Sequence, residues 1–322
     1  MAEHGYPERT VASPRAPITV GLRVPHELTG GAAGLRDYAT RAEAAGIDRL
    51  FTGDHVTFRG GQGFDGLLTA TALAVAAPRL TVQTAVYLLP LRHPVPVARQ
   101  VATLAGLAPG RLVFGVGQGG EDPAELRACG VDPATRGRRM DEALAVLRPL
   151  LAGAEVTADG GFFRLDRVRI LPAPRPPVPV VIGGRSDGAL RRVARHGDGW
   201  LGLWVSPARY ASATALIAKY AADAGRDALT WEHGMHVWCG FGTSPGAARD
   251  RLSVAMEGFY QLPFGKFEKY SPCGTAAQIA ESLRPYAEAG CRSFNLIPVA
   301  DSEQAAIEGA AEVRALLGEK VR

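Results

Sequence analysis

The chain is poor in cysteine. Four occur in 322 residues, at 129, 239, 273 and 291, and no two are closer than 18 positions. That spacing offers no CxxC pair and no zinc-ligand pattern. So few thiols argue against a disulfide scaffold and predict a reducing, cytoplasmic setting. Lysine is as scarce: Lys219, Lys266, Lys269 and Lys320 are the only ones among 36 basic residues. The arginines that make up the rest are scattered, and the formal net charge is only +4. Nucleic-acid binding needs a clustered basic stripe, and none is present. No apolar run reaches the roughly 18 residues of a membrane span. Residues 1–17 lack the apolar core of a signal peptide and are expected to be a flexible leader before the first strand. Neither a Gly-x-Ser-x-Gly elbow nor a phosphate-binding Walker loop occurs. The expected partner is therefore a small organic molecule rather than a nucleic acid or a membrane, with a homodimer left open as the assembly.

What is present is glycine, proline and alternation. Thirty-nine glycines and 23 prolines suit a fold with many tight turns. A 47% hydrophobic content is enough for a large core without staples. Short apolar runs at 18–24, 49–52, 80–88, 111–116, 178–182, 199–205, 232–241 and 291–298 alternate with stretches of helical period. In 136–151, for instance, Met140, Ala143, Leu144, Leu147 and Leu151 share one face. Parallel strands need crossover helices, so eight such units predict an α/β fold, a (β/α)8 TIM barrel over 18–322. Two insertions, at 153–177 and 259–272, account for the length beyond the usual ~250 residues. A doubly wound open sheet is the alternative.

In a barrel, chemistry collects at the C-terminal ends of the strands. The residues there are Asp54 and His55, Tyr87 to Leu89, Gly117 and Gln118, and then Gly183, Gly184, Arg185 and Ser186. Residues 115–120 match GxGxxG. The dinucleotide fingerprint also needs an acid at a strand end about 20 residues on, and here that region is helical. The glycines are expected instead to let something flat approach the backbone. Two glycines that end a buried strand just before a helix suit a phosphate, with Arg185 adding a bidentate contact. His55 follows an acid at a strand end, where a titrating imidazole can serve proton transfer. His93, before Pro94, is expected to start a helix. His233 and His236 are three apart on one strand and face opposite sides, so no metal site is expected. Phe58, Phe64, Trp204, Tyr260 and Phe264 are expected to wall a substrate pocket.

These residues also carry a resemblance. The motifs are 50–55 (LFTGDH), 89–94 (LPLRHP) running on to 98–104 (ARQVATL), 109–117 (PGRLVFGVG), 139–142 (RMDE), 180–184 (VVIGG) and 197–200 (GDGW). In this order they resemble the bacterial luciferase-like superfamily of (β/α)8 oxidoreductases over about residues 18–318. The chain looks most like the branch that uses the deazaflavin coenzyme F420. The resemblance implies that Asp54 contacts the deazaflavin head and that His55 transfers a proton beside it. It implies that Tyr87, Leu88 and Leu89 back the ring, in many relatives through a bulge with a non-prolyl cis peptide. Gly183, Gly184 and Arg185 would hold the phosphate, and Asp198 would be structural. One position departs: some deazaflavin-dependent dehydrogenases have a glutamate after the fourth-strand glycines, where this chain has Gln118. Glutamine does not titrate, which leaves His55 as the acid and counts against sugar-phosphate dehydrogenation. The alternatives are an FMN-dependent monooxygenase fed by a separate reductase, and a non-catalytic flavin-binding barrel.

Overall fold

The computed structural model of the chain describes residues 17–25, 30–61, 63–227 and 229–318. The expected leader, apart from its last residue, lies outside them. Eight parallel strands form the barrel: β1 (Thr19–Arg23), β2 (Arg49–Thr52), β3 (Thr81–Thr84), β4 (Leu112–Gly117), β5 (Val180–Gly183), β6 (Gly199–Leu203), β7 (Gly234–Phe241) and β8 (Ser293–Val299). Each pairs with the next, and β8 pairs with β1 through Thr19↔Ser293 to Leu22↔Leu296, so the sheet closes on itself. Helices between the strands bury their apolar faces on the ring. In the helix Arg136–Leu151 these are Met140, Ala143, Leu144 and Leu147, as the period predicts.

The ring has a layered interior. Near the strand starts lies a hydrogen-bonded polar layer, in which Arg49 Nε and Asn295 Oδ1 are left without partners. Arg49 Nη1 donates to Gln83 Oε1 at 3.0 Å and to Ser293 Oγ at 2.8 Å, and Asn295 Nδ2 donates to Gln83 Oε1 at 3.0 Å. Above it lie Val113, Val181 and Leu201. The ion pair of Asp198 with Arg148 (2.7 and 3.1 Å), together with the Val180 N–H it accepts at 2.8 Å, ties the helix Arg136–Leu151 to β5. That is the structural role the resemblance implies for Asp198.

Three local features depart from the expected pattern. The run at 80–88 is not one strand: it breaks after Thr84, the Ala85–Val86 peptide is cis, and Tyr87–Leu88 re-pairs with Val116 and Gly117. The unusual backbone therefore stands just before the expected 87–89 segment. The insertion at 153–177 is an antiparallel hairpin, Val156–Asp159 with Arg164–Val168. In the second insertion, the helix Pro245–Tyr260 takes up the first two residues, 259 and 260, and two 3-10 turns follow, Phe264–Lys266 and Glu268–Tyr270.

The glycines of β4 have a reason other than the expected one. A Cβ on Gly115 would stand 2.0 Å from the Thr84 carbonyl oxygen, and one on Gly117 would stand 2.4 Å from Val86 Cγ2. The group that approaches them is the broken end of β3, not a flat ligand. Among the described residues no helix is long and apolar enough to cross a membrane.

A paired substitution tests this account of β4. Gly115→Ala drives a methyl into a backbone carbonyl that cannot rotate away, and is expected to lower the unfolding free energy by at least about 1–3 kcal/mol. Gly106→Ala, in the helix Pro94–Leu107 with nothing within 4 Å of the added carbon, is expected to raise it by about 0.5–1 kcal/mol. Denaturant unfolding of both variants checks this; equal effects would mean that β4 is not closely approached.

Candidate active site in the barrel mouth

A cavity of about 400 Å³ opens in the barrel mouth, bordered by residues from the strands or from the segments that follow them. Asp54 lies at its base, but its carboxylate is fully engaged. Oδ1 accepts from Gly66 N at 2.9 Å and Arg92 Nη2 at 2.8 Å, and Oδ2 accepts from Leu88 N at 2.9 Å and from Arg92 Nη1. The side chain is wholly buried. Burial pushes its carboxyl above the ordinary range, while Arg92 and the two backbone N–H groups pull it back. The resemblance implies that Asp54 contacts the deazaflavin head; here it borders the cavity with both carboxylate oxygens already holding two donors each. It is a joint between β2, the segment after β3 and the helix Gly66–Ala76. Gly66 is glycine because a Cβ there would lie 2.8 Å from Asp54 Cβ.

His55 also borders the cavity. Its ring stacks on Phe58 with centroids 4.1 Å apart, and Nδ1 meets Glu125 Oε2 at 3.1 Å. Oε1 of Glu125 accepts the backbone N–H groups of Val56 (2.6 Å) and Thr57 (3.2 Å). Burial works against the Glu125 charge, but these hydrogen bonds prevail and hold its carboxyl below the usual range. An ionised Glu125 requires a proton on Nδ1, so Nε2 is the atom left to exchange one. Sequence reading did not find Glu125, which lies 70 residues from its partner. The Asp122-Pro123 helix start is legible, since Asp122 caps the helix Pro123–Ala128, but the pairing is tertiary.

Across the mouth, Gly183, Gly184, Arg185 and Ser186 all border the cavity. Ser186 caps the helix Asp187–His196, accepting from Ala189 N at 3.2 Å. Gly184, at φ +126, has no room for a side chain, because a Cβ would lie 2.7 Å from that of Ala189. Its carbonyl accepts Trp200 Nε1 at 2.7 Å. Arg185 lies over the Trp204 ring at 5.3 Å. Trp204 itself has φ +51, a strained conformation for a bulky residue, and its buried Nε1 has no partner. Strain and an orphaned donor together at a cavity wall point to a ligand-binding position.

Two further cavity groups were not singled out as site residues. Arg23 ends β1, and His236 projects from β7 with a buried Nδ1 that lacks a partner. Applying the strand-end rule to the first strand would have found Arg23. Strand alternation separates His236 from His233, whose Nδ1 accepts Trp200 N at 3.1 Å. Burial, and then Arg23, push the His236 imidazole down to about 3, so it is neutral.

The remaining expected residues divide. Leu88, Gly117, Gln118, Trp204 and Tyr260 border the cavity, as do Ala85 and Val86. Tyr87 and Leu89 do not back it: Tyr87 packs on Phe114 beneath Arg92, and Leu89 is in the main core. Phe58 supports His55 from behind. Phe64 is 48% exposed and outside the lining. Phe264 is buried in the cap, where its N–H donates to Glu257 Oε1 at 2.8 Å. Aromatic type and position in an insertion do not tell a wall from a cap core. His93 starts its helix, its Nδ1 accepting Val95 N at 3.3 Å. Among the described residues no group of three metal-binding side chains is assembled.

The profile of the family described as luciferase-like monooxygenase matches residues 18–313. An F420-dependent glucose-6-phosphate dehydrogenase of Beutenbergia cavernae is 36% identical over 169 residues, 51% of this chain and 50% of that protein. An F420-dependent hydroxymycolic acid dehydrogenase of Mycobacterium tuberculosis is 32% identical over 162 residues, 49% of this chain and 44% of that protein. The chain thus spans about half the length of the curated relatives it matches. The barrel is shared with a solved F420-dependent secondary alcohol dehydrogenase in complex with an F420-acetone adduct. The TM-score is 0.82 at 22% identity, covering 94% of this chain and 99% of that one.

The Glu125 contacts set a pH dependence. Its carboxyl is held below the ordinary 4.5. The stability it contributes is complete above that value and is lost as pH falls through its native pKa. The difference in unfolding free energy between wild type and Glu125→Gln is therefore expected to shrink as pH drops below 4.5. A difference that stays constant or grows in acid would contradict the assigned contacts.

Proposed function

The chain belongs to the luciferase-like monooxygenase family, and on that premise we propose that it is a coenzyme F420-dependent oxidoreductase. It exchanges a hydride with a small organic substrate, and His55 moves the matching proton. The observation that carries this reading is the His55–Glu125 pair at the cavity edge. The names of the two relatives above support the choice of cofactor.

The residues of the mouth fit the group. The segment Ala85, Val86 and Leu88 offers a close-packed wall for a flat ring. Backbone N–H groups at Gly183 to Ser186, opening a ten-residue helix, suit a phosphate, and Trp204 Nε1 is a donor still without an acceptor. When bound, the deazaflavin supplies a hydride donor or acceptor at its C5. The chain does the rest. Glu125 fixes the His55 tautomer. Phe58 holds the ring plane by stacking. In the oxidising direction Nε2 takes the proton of a substrate hydroxyl, and in the reducing direction it returns one. Gln118 has no titrating group to compete for that role, and Glu121 lies at the exposed rim.

FMN also carries a phosphate, so the cradle alone does not choose between the cofactors. Fluorescence titration does. The deazaflavin is expected to bind at least tenfold tighter than FMN, a gap of about 1.4 kcal/mol. Equal affinity, or stoichiometric copurification of FMN, would favour the monooxygenase reading instead. His55→Ala is expected to lower kcat by about 10²–10⁴ while changing deazaflavin affinity by less than about tenfold, since the phosphate cradle lies elsewhere. Normal turnover by that variant would assign the proton to another group.

A further inference from the structure

Arg23 is the unusual charge in the cavity. It sits partly buried at the end of β1, its guanidinium over the rings of Phe259 (5.7 Å) and Trp238 (6.0 Å). Among the described residues no carboxylate lies within ion-pair distance of it. Burial pushes its pKa down to about 10, as expected of a cation without a counter-charge. By contrast, Arg92, behind the mouth, is neutralised by Asp54. An uncompensated guanidinium in an apolar setting is costly to keep. Beside it, across β8, stands His236 with its unpartnered Nδ1, 5.1 Å from the Phe51 ring. Ile297 of β8 borders the cavity between them. The site thus offers one planar, forked cation and one neutral polar nitrogen on aromatic and aliphatic walls.

We propose that Arg23 and His236 form the substrate's anchoring site, and that the substrate carries a single carboxylate on an apolar body. The carboxylate pairs with the Arg23 guanidinium in the bidentate geometry those two planar groups share. His236 donates to or accepts from a neighbouring oxygen. Phe259 and Ile297, which border the cavity, cover the apolar part. A phosphate ester suits the site less well, because the other arginine that borders the cavity, Arg185, belongs to the proposed phosphate cradle. This rests on the proposed function only in calling the ligand a substrate; the anchoring site itself is tested without cofactor.

The experiment is a titration of the cofactor-free full chain, read by tryptophan fluorescence, with 3-phenylpropanoate and with the uncharged 3-phenylpropanamide. The wild type is expected to prefer the carboxylate by about tenfold or more. Arg23→Met should abolish the preference, and Arg23→Lys should keep part of it. Deazaflavin binding is measured on the same samples and should stay within about threefold of wild type, which also confirms that the variants fold. Equal binding of the two probes by wild type, or no saturable binding of either, overturns the proposal. So does an Arg23→Met protein that keeps the preference but loses the deazaflavin, which would make Arg23 a cofactor ligand. If wild type prefers the carboxylate but binds no deazaflavin, the anchoring site stands and the oxidoreductase reading falls.

Discussion

The buried Asp54 carboxylate is the joint on which the barrel mouth is built. Its oxygens take four contacts, from Gly66 N, Leu88 N and both terminal nitrogens of Arg92. Removing one partner of a buried ion pair leaves the other uncompensated and is worth about 3–5 kcal/mol. One residue further along the chain, His55 turns outward to the cavity, so the same joint sets where the imidazole starts. The carboxylate also fixes the segment after β3 through Leu88, which places Ala85 and Val86 against the β4 glycines. Side-chain size is then constrained on both sides of the seam: Val86 fills the space that a Cβ on Gly117 would need.

Two partnerships of opposite kind follow from this frame. Glu125 and His55 form a satisfied pair, with both carboxylate oxygens bonded and one imidazole nitrogen left over. Trp204, His236 and Arg23 are unsatisfied, two through orphaned nitrogens and one through an uncompensated charge. Buried polar groups in native proteins are nearly always paired. Other orphans lie elsewhere, Arg49 Nε and the Tyr210 hydroxyl among them, but these three groups share the wall of one cavity.

Much of the fold was legible. Eight apolar runs in alternation with helical periods locate all eight barrel strands to within a few residues, because parallel strands buried on both faces read as continuous apolar segments. The third run was misread as unbroken for the same reason: Ala85 and Val86 are apolar, and composition does not distinguish a strand from a bulge. The site was less legible. His55 and the 183–186 turn could be read from strand ends. The binding of Asp54 by Arg92, and the grip of Glu125 on His55, depend on contacts between residues 38 and 70 positions apart, which no local pattern encodes. The aromatic residues show the same limit. Tyr260 borders the cavity while Phe264, four residues on, is in the cap core, and only the turn after the helix Pro245–Tyr260 separates their fates.

The central claim is that the mouth holds a deazaflavin between the Ala85–Leu88 segment and the Gly183–Ser186 turn, with His55 beside the ring. Diffraction from crystals grown with oxidised coenzyme F420 tests it directly. The expected result is density for the ring against Ala85, Val86 and Leu88, for the phosphate on the backbone of 183–186, and for His55 Nε2 open to the space above C5. Density for the ring elsewhere in the barrel, or a phosphate held away from that turn, would contradict the account.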